Sequence, residues 1–521
     1  MEQAKLLPIV RKIKHRPRVV DKLSLPHIRE GFPFDHARLV PDSTFALFCF
    51  VRQMTIIKLI LAMPERRGLF VLKPHNLVEM LALAVKRHPD QIALRHHGQA
   101  LTYQKCWNTV RDIAFGLERL GVRQGTKVAL IAENHPRWIL CDFAIMSLGG
   151  ITVPLPPDAN EQEWNEWLQL TEAEVVIIGS THAPEGLTHP PQNVRHIIQL
   201  TENPPTLQKA LRFDTLIQLG QTIALEELDW AYPAVQPSDP ATIQLVDGAN
   251  GETQVVALTH AQLLYSLDGI AYLHPQQQQD GLLVHSSFAE LHARLTGYLM
   301  PLSHGATVTI ADGEPIIAQL QQHKPTLLVT DSTSITQMKQ QLWEHIQGAL
   351  WRKLAFNHAM RLAAKYHQYR RAGRDTPIPS RWRFGYAWAH LLSFSSLHQQ
   401  LGGRLRLVIS GDRLTPALHE FFGHLGVPLA TLYGIAETGC PIACQYSYQS
   451  DPAPYQLLPQ VETRISPDGE LLVKHPGMGA GWLHTGDLAA KGSGGQLHLQ
   501  GRKPTPQETK PLAALSQSSN K

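Results

Sequence analysis

Lys127-Val-Ala-Leu-Ile-Ala132, then Pro136 to Leu148, then Gly149-Gly150 and Ile151-Thr-Val-Pro-Leu155 follow one another within 29 residues of the sequence. The two outer runs are short and apolar throughout, the pattern of strands covered on both faces. The segment between them has helical spacing and ends at a glycine pair, a natural helix stop. A strand, a helix and a second strand at this spacing imply a crossover connection and parallel pairing of the two strands.

The same rhythm extends outward. Leu77 to Arg87 has helical spacing, Ile92-Ala-Leu-Arg95 is extended, and Tyr103 to Leu120 is helical up to Gly121. Downstream lie the apolar runs Val175-Val-Ile-Ile-Gly179, Ala241 to Val246, Ala306 to Ile310, Thr326 to Thr330 and Leu405 to Ser410. Ser334 to about Arg374 reads as one long helical region, basic towards its end (Arg361, Lys365, Arg370, Arg371, Arg374). The expected fold class is α/β, with mostly parallel sheet covered on both faces. No internal repeat is visible.

Composition separates the ends from this body. Of the net charge of +4, residues 1–22 hold seven Lys/Arg against two acidic residues, so the rest of the chain is close to neutral. A basic tail on a neutral body argues against nucleic-acid binding and fits a tail resting on an anionic surface such as a membrane leaflet. Five scattered cysteines form no disulfide framework and fit a reducing compartment, so a cytoplasmic protein is expected, peripheral on the membrane's cytoplasmic face. The first strong apolar run, Ser43 to Met63, is long enough to span a bilayer but contains Arg52 and Lys58. Each would cost roughly 2.5–3.5 kcal/mol at a membrane centre. A span, an interfacial helix and a helix buried against the body all remain open. The expected organisation is a basic and apolar extension over 1–75, one large domain over 76–503, and a polar, disordered tail over 504–521.

Five segments carry chemistry. Leu245-Val-Asp-Gly-Ala-Asn-Gly-Glu-Thr-Gln-Val-Val-Ala-Leu-Thr-His260 follows a strand with closely spaced glycines, where backbone N–H groups could wrap phosphates. Val408-Ile-Ser-Gly-Asp-Arg-Leu414 ends a strand, and Thr431-Leu-Tyr-Gly-Ile-Ala-Glu-Thr438 follows downstream. Gly481-Trp-Leu-His-Thr-Gly-Asp-Leu488 is followed by Leu499-Gln-Gly-Arg-Lys503. A sixth is Gly281 to Leu295, which contains Glu290 and Arg294.

In order and spacing these blocks resemble those of the adenylate-forming (AMP-binding) acyl-CoA synthetases, especially the long-chain fatty-acid–CoA ligase branch. The resemblance covers roughly Asn76 to Lys503. It implies a large N-terminal domain of two αβ layers plus a distorted β-barrel. It also implies activation of a carboxylic acid with ATP to acyl-AMP and then acyl-CoA, with ATP/AMP, Mg²⁺ and CoA as cofactors and a fatty acid or acyl-AMP as ligand. By the same resemblance Gly248, Gly251 and Thr259 belong to the phosphate loop, Gly411 to the adenine loop, and Tyr433 with Gly434 to the adenine-stacking block. Asp487 and Arg502 would hold the ribose, and Glu437 would be the Mg²⁺ ligand.

Several family groups are replaced. Asp247 stands at a hydroxyl position, Ala249 and Asn250 replace threonines, Gln254 replaces a lysine and Ala436 a threonine; Asp412 and Arg413 replace small residues, and Glu290 a histidine. The family's C-terminal lid domain and its lysine are not recognisable after Arg502. Removing one transition-state donor typically costs about 10²–10³ in rate. Two readings follow: a ligase that is weak, or completed by a separate protein supplying a lid domain, and a non-catalytic relative that binds nucleotide or acyl chain or acts as a scaffold.

His419-Glu-Phe-Phe-Gly-His424 is a decoy for a zinc site. A spacing of five turns the two side chains about 140° apart on a helix, where metal ligands need a spacing of four.

Overall fold

The computed structural model describes residues 73–503 except 180–186, 201–209, 225–234, 248–251, 274–279, 312, 349, 372–377, 440, 448–453, 479–480 and 493–495. The Ser43–Met63 run, the 1–72 part of the extension, the tail, Gly248 and Gly251 lie outside the described residues.

The strands run in chain order as follows. The first seven are β1 (Ile92–His96), β2 (Gln99–Thr102), β3 (Lys127–Ala132), β4 (Ile151–Leu155), β5 (Val175–Gly179), β6 (His196–Gln199) and β7 (Leu211–Arg212). Then come β8 (Pro240–Asp247), β9 (Thr253–Thr259), β10 (Gly281–Val284), β11 (Thr307–Ile310), β12 (Leu327–Val329), β13 (Leu407–Ser410) and β14 (Leu429–Tyr433). The last are β15 (Ala443–Tyr446), β16 (Gln456–Leu457), β17 (Glu462–Ile465), β18 (Glu470–Lys474), β19 (Leu483–Lys491) and β20 (Leu497–Arg502).

They form three sheets. A seven-stranded sheet has the order β7-β6-β5-β3-β4-β8-β9, and a nine-stranded one the order β16-β15-β14-β13-β12-β10-β11-β1-β2. Both are parallel in their interiors and turn antiparallel only where a hairpin adds the edge, at β8–β9, β1–β2 and β14–β15–β16. That is the mixed pattern of a sheet built by crossovers and finished by hairpins. The third sheet, β17-β18-β19-β20, is an antiparallel meander tied back to the body by a bridge between Tyr455 and Leu497.

Local chemistry sets the helix ends. Asn76 caps Leu77–Arg87 by accepting from the Glu79 N–H at 2.8 Å, and Asn160 with Glu163 forms a reciprocal capping box on Glu161–Thr171. The helix Pro136–Ser147 is buried on every side from Trp138 to Ser147, so it is interior rather than amphipathic. It nevertheless carries Asp142. That carboxylate is fully buried and takes both Arg294 N–H bonds at 2.8 and 2.9 Å, while Arg294 also donates to Thr242 on β8 at 2.7 Å. Tyr298 completes the group by bonding to both partners. A buried charge is tolerated only when paired and saturated with hydrogen bonds, which this arrangement supplies.

Two expectations need correction. The long helical region from Ser334 is two helices, Ser332–Gln347 and Leu350–Arg371, parted at Gly348, which caps the first. The 245–260 segment, read as a glycine-bearing phosphate loop after a strand, runs on into a further strand. It is a hairpin of β8 and β9, with Gln254 paired to Val246 and exposed. Val255-Val-Ala-Leu258 is a short apolar run that suits a strand, but the glycines just before it drew the segment into the phosphate-loop reading.

Candidate active site

In open α/β sheets ligands sit beyond the carboxyl ends of the parallel strands. Two cavities lie there, at the ends of β4, β8, β13 and β14. The larger, about 420 Å³, is lined by Pro154 and Pro156, by Gln244 to Val246 of β8, and by Ala289 to His292. Ala436 closes one side of it. The smaller, about 240 Å³, is lined by Arg413, Tyr433, Tyr455, Asp487 and Arg502 among others. Gly411, Leu432 and Gly434 line both, so the two are halves of one continuous depression.

The smaller half is assembled from three parts of the chain. Tyr433 ends β14, and its hydroxyl donates to Asp487 Oδ2 at 2.7 Å. Asp487 sits on β19 directly opposite Arg502 on β20, so the sheet register itself brings an acceptor and a guanidinium to one rim. Gly486 precedes it at φ +74°, a left-handed conformation that glycine accepts at no steric cost, beside a bulge between Leu488 and Ala489. Burial, and then the hydrogen bond to Asp487, push the Tyr433 phenol well above its ordinary value, so it remains a neutral donor. The Tyr455 ring stands 5.6 Å from that of Tyr433 and extends the aromatic wall.

The larger half differs in kind. Its lining among the described residues contains no Lys or Arg, and its titratable members are Glu290 and His292. His292 Nδ1 lies 3.1 Å from Glu290 Oε2. Burial lowers the imidazole to about 4, against the opposing pull of Asp412 and Asp331, so His292 is neutral. Its Nε2 is buried with no hydrogen-bond partner among the described residues. Desolvation, followed by Asp412 and Asp331, raises the Glu290 carboxyl to about 7. Those two aspartates have a local task. Asp331 caps the helix Ser332–Gln347 through the Ser334 N–H at 2.8 Å, and Asp412 accepts from the Ser332 N–H at 2.6 Å. Gly411 is required where it stands, since a Cβ there would lie 2.4 Å from the His292 ring.

Of the residues singled out from sequence, Gly411, Tyr433, Gly434, Asp487 and Arg502 come together around this depression. Thr259 and Glu437 line neither half. Thr259 caps the helix His260–Leu273, its Oγ1 accepting from the Gln262 N–H at 3.2 Å. Glu437 is half-buried in the 3₁₀ turn Ala436–Thr438, and no described side chain engages its carboxylate. It offers a divalent cation one hard oxygen, so the remaining ligands would have to be phosphate and water, which suits an ion delivered with a nucleotide. Arg294 belongs to the buried network rather than the cavity wall. His419 bonds to Ser447 Oγ and Thr431 Oγ1, both at 3.1 Å, and is a core residue.

Sequence reasoning did not single out Tyr455 or His292 as site residues. Tyr455 follows Asp451-Pro-Ala-Pro454, which carries no periodic signal, and His292 is placed by the short helix Leu291–Arg294 rather than by a motif of its own.

Comparison with known proteins agrees with this architecture. The sequence profile of the AMP-binding enzyme family matches residues 81–484. The long-chain-fatty-acid–CoA ligase FadD15 of Mycobacterium tuberculosis is 26% identical over 430 residues, spanning 77% of this chain and 69% of that protein. The long-chain-fatty-acid–CoA ligase ACSBG2 of Rattus norvegicus is 23% identical over 478 residues, 82% of this chain and 70% of the other. Among solved structures, the anthranilate CoA ligase AuaEII in complex with anthranoyl-AMP superposes with a TM-score of 0.63 at 16% identity, covering 83% of this chain and 78% of that one. The N-terminal subdomain of Klebsiella oxytoca NpsA gives 0.58 at 18% identity, covering 82% of this chain and all of the subdomain (100%). These structures share the fold.

Proposed function

The chain belongs to the family of AMP-binding enzymes, and from that premise we propose that it is a fatty-acid–CoA ligase-type protein that holds an acyl-adenylate well and forms it slowly. The observation that carries this reading is the contrast between the two halves of the depression: one keeps a ribose-side acceptor and arginine, the other has a carboxylate and no cation.

The nucleoside would lie in the smaller half. Asp487 accepts hydrogen bonds from the ribose hydroxyls while its second partner, Tyr433, fixes the carboxylate and offers a ring face to the base. Arg502, opposite Asp487, adds a donor on the same rim. The acyl group would occupy the larger half, between Pro154, Pro156, Trp167 and Leu291, with its carboxyl at the shared Gly411–Gly434 junction.

Adenylation brings a carboxylate oxygen to the α-phosphorus of ATP with loss of pyrophosphate, and thioester formation then exchanges AMP for the CoA sulfur. Mg²⁺, when bound with the triphosphate, neutralises charge, and Glu437 is the residue that would hold it. The first step places two anions together, so it depends on preorganised positive potential. Here Glu290 lines the same half, and Gln254 and Ala436 supply neither a cation nor a hydroxyl. The second step, and binding of the finished adenylate, make far less demand on the phosphate side. The same contrast supports a second reading, a non-catalytic relative that binds AMP or acyl-AMP.

Calorimetry with AMP, ATP·Mg²⁺ and a non-hydrolysable acyl-adenylate analogue, followed by mass spectrometry for acyl-AMP and acyl-CoA, tests both. Acyl-CoA above an Asp487→Ala control supports the slow ligase. Binding of the analogue without turnover supports the binding relative. No nucleotide binding at all would sink both.

A further inference from the structure

Outside the depression, one surface departs from the rest of the molecule. The helices Leu350–Arg371 and Ser380–Ala389 together carry eight Lys/Arg and no Asp or Glu. Among the described residues nine large hydrophobic side chains are exposed, and five of them are here: Leu350, Trp351, Leu354, Phe384 and Trp388, between 59% and 75% exposed.

Their exposure does not come from a loose helix pair. Phe356, Ala359, Ala363 and Tyr366 recur at helical spacing on the inner face and are buried, with the Phe356 ring packed on Phe394 and Phe421. Tyr366 and Tyr386 stack at 4.4 Å and lock the two helices together. Leu350, Leu354, Arg361 and Lys365 fall on the opposite, outward face by the same 3.6-residue repeat. On the second helix Arg381, Phe384 and Trp388 share an exposed stripe. Guanidinium groups rest against the neighbouring indoles, Arg352 over Trp351 at 5.4 Å and Arg381 over Trp382 at 5.2 Å.

We propose that this helix pair is a docking surface for an anionic lipid leaflet, with Trp351, Leu354, Phe384 and Trp388 seated at headgroup depth and the cationic side chains on lipid phosphates. Charge complementarity selects the partner. A face with cations only matches a surface of uniformly negative charge, and protruding tryptophans with arginines beside them are the composition that water–lipid interfaces favour. A protein partner of standard interface size would more commonly meet mixed charge. The assignment stands independently of whether the depression turns over substrate.

The test is sedimentation of the full chain with vesicles of phosphatidylcholine alone and with about a third phosphatidylglycerol. Retention on the anionic vesicles should exceed that on neutral ones by about tenfold at physiological salt and fall as salt rises. Arg352→Glu/Lys353→Glu/Arg381→Glu/Arg383→Glu should reduce the preference to what the basic residues 1–22 alone support, and Leu354→Ser/Trp388→Ser should weaken binding with the melting temperature unchanged. Vesicles with brominated acyl chains give a second readout, quenching tryptophan emission less in Trp351→Phe/Trp388→Phe than in the parent. Residues 1–72 contain no tryptophan, so their own binding cannot produce that difference. Equal quenching in parent and variant, vesicle binding untouched by charge reversal, or no binding to anionic vesicles would each overturn the proposal.

Discussion

The two halves of the depression are made by the same strands and share three residues, yet they have opposite characters. The smaller half is a closed hydrogen-bonded unit: Tyr433 donates to Asp487, and sheet register sets Arg502 across from it. The larger half is lined by apolar groups, Gln244, Thr253 and the Glu290–His292 pair. On the proposed function, the difference teaches that a fold can keep the place for a ligand without the potential that would drive chemistry on it. Shape follows from packed strands and glycine turns. Potential depends on a few exposed side chains whose loss the core does not register.

The comparison can be broken at four points. The largest effect is expected from Arg294→Met, which leaves Asp142 charged and buried without its partner. Such a loss costs about 3–5 kcal/mol, and because both halves stand on this frame, thermal denaturation should fall together with AMP and acyl-adenylate binding. Retention of either half's binding at an unchanged melting temperature would show that the network does not carry both. Next is Asp487→Ala. Losing a hydrogen bond to a charged group costs about 1.5–3 kcal/mol, so AMP affinity by calorimetry should fall about 10- to 100-fold with the melting temperature nearly unmoved.

A smaller effect, of opposite sign, belongs to Glu290. Its carboxyl is raised to about 7, so it is mostly neutral at pH 6 and ionised at pH 8. An anionic acyl-adenylate should bind more tightly at the lower pH, and Glu290→Gln should tighten binding at pH 8 by about threefold to tenfold and flatten the pH profile. The stability linkage runs the same way. A carboxyl raised in the folded state binds more protons there than unfolded, so stability falls as pH rises from its unfolded value near 4.5 to about 7 and is level above. Since the side chain is half exposed, solvent screening keeps that slope shallow. A pH profile unchanged in Glu290→Gln would remove this residue from the argument. The smallest effect is expected from Gln254→Lys. It places an exposed cation opposite Val246 of the larger cavity and should raise ATP affinity about threefold, the worth of an exposed ion pair, while leaving AMP affinity alone.

How much was legible follows the same division. Strands β3, β4 and β5 and the helix Leu77–Arg87 coincide with their sequence reading because apolar runs bounded by glycine and caps state their own limits. Asp487 and Arg502 were legible as motif residues, and their approach to one another is a property of register that no single motif contains. The β8–β9 hairpin was hidden because the short apolar run of β9 was read through the phosphate-loop resemblance. Glu290 could be placed against the family pattern from sequence. His292 stands two residues away, but burial and the closeness of Asp412 and Asp331, which come from segments remote in the chain, set the acidity of Glu290.

The Asp142–Arg294 pair also has a consequence in time. The two partners are 152 residues apart, and Asp142 lies in an interior helix. At about 5–20 residues per second, a ribosome delivers Arg294 on the order of 8–30 s after Asp142. Until then sealing the helix Pro136–Ser147 would strand the Asp142 carboxyl without its partner or force its protonation, which disfavours early closure. Nascent chains arrested before Arg294 should therefore be cut by protease within that helix more readily than chains that extend past Tyr298. Closure of the early half would then follow the arrival of the late one.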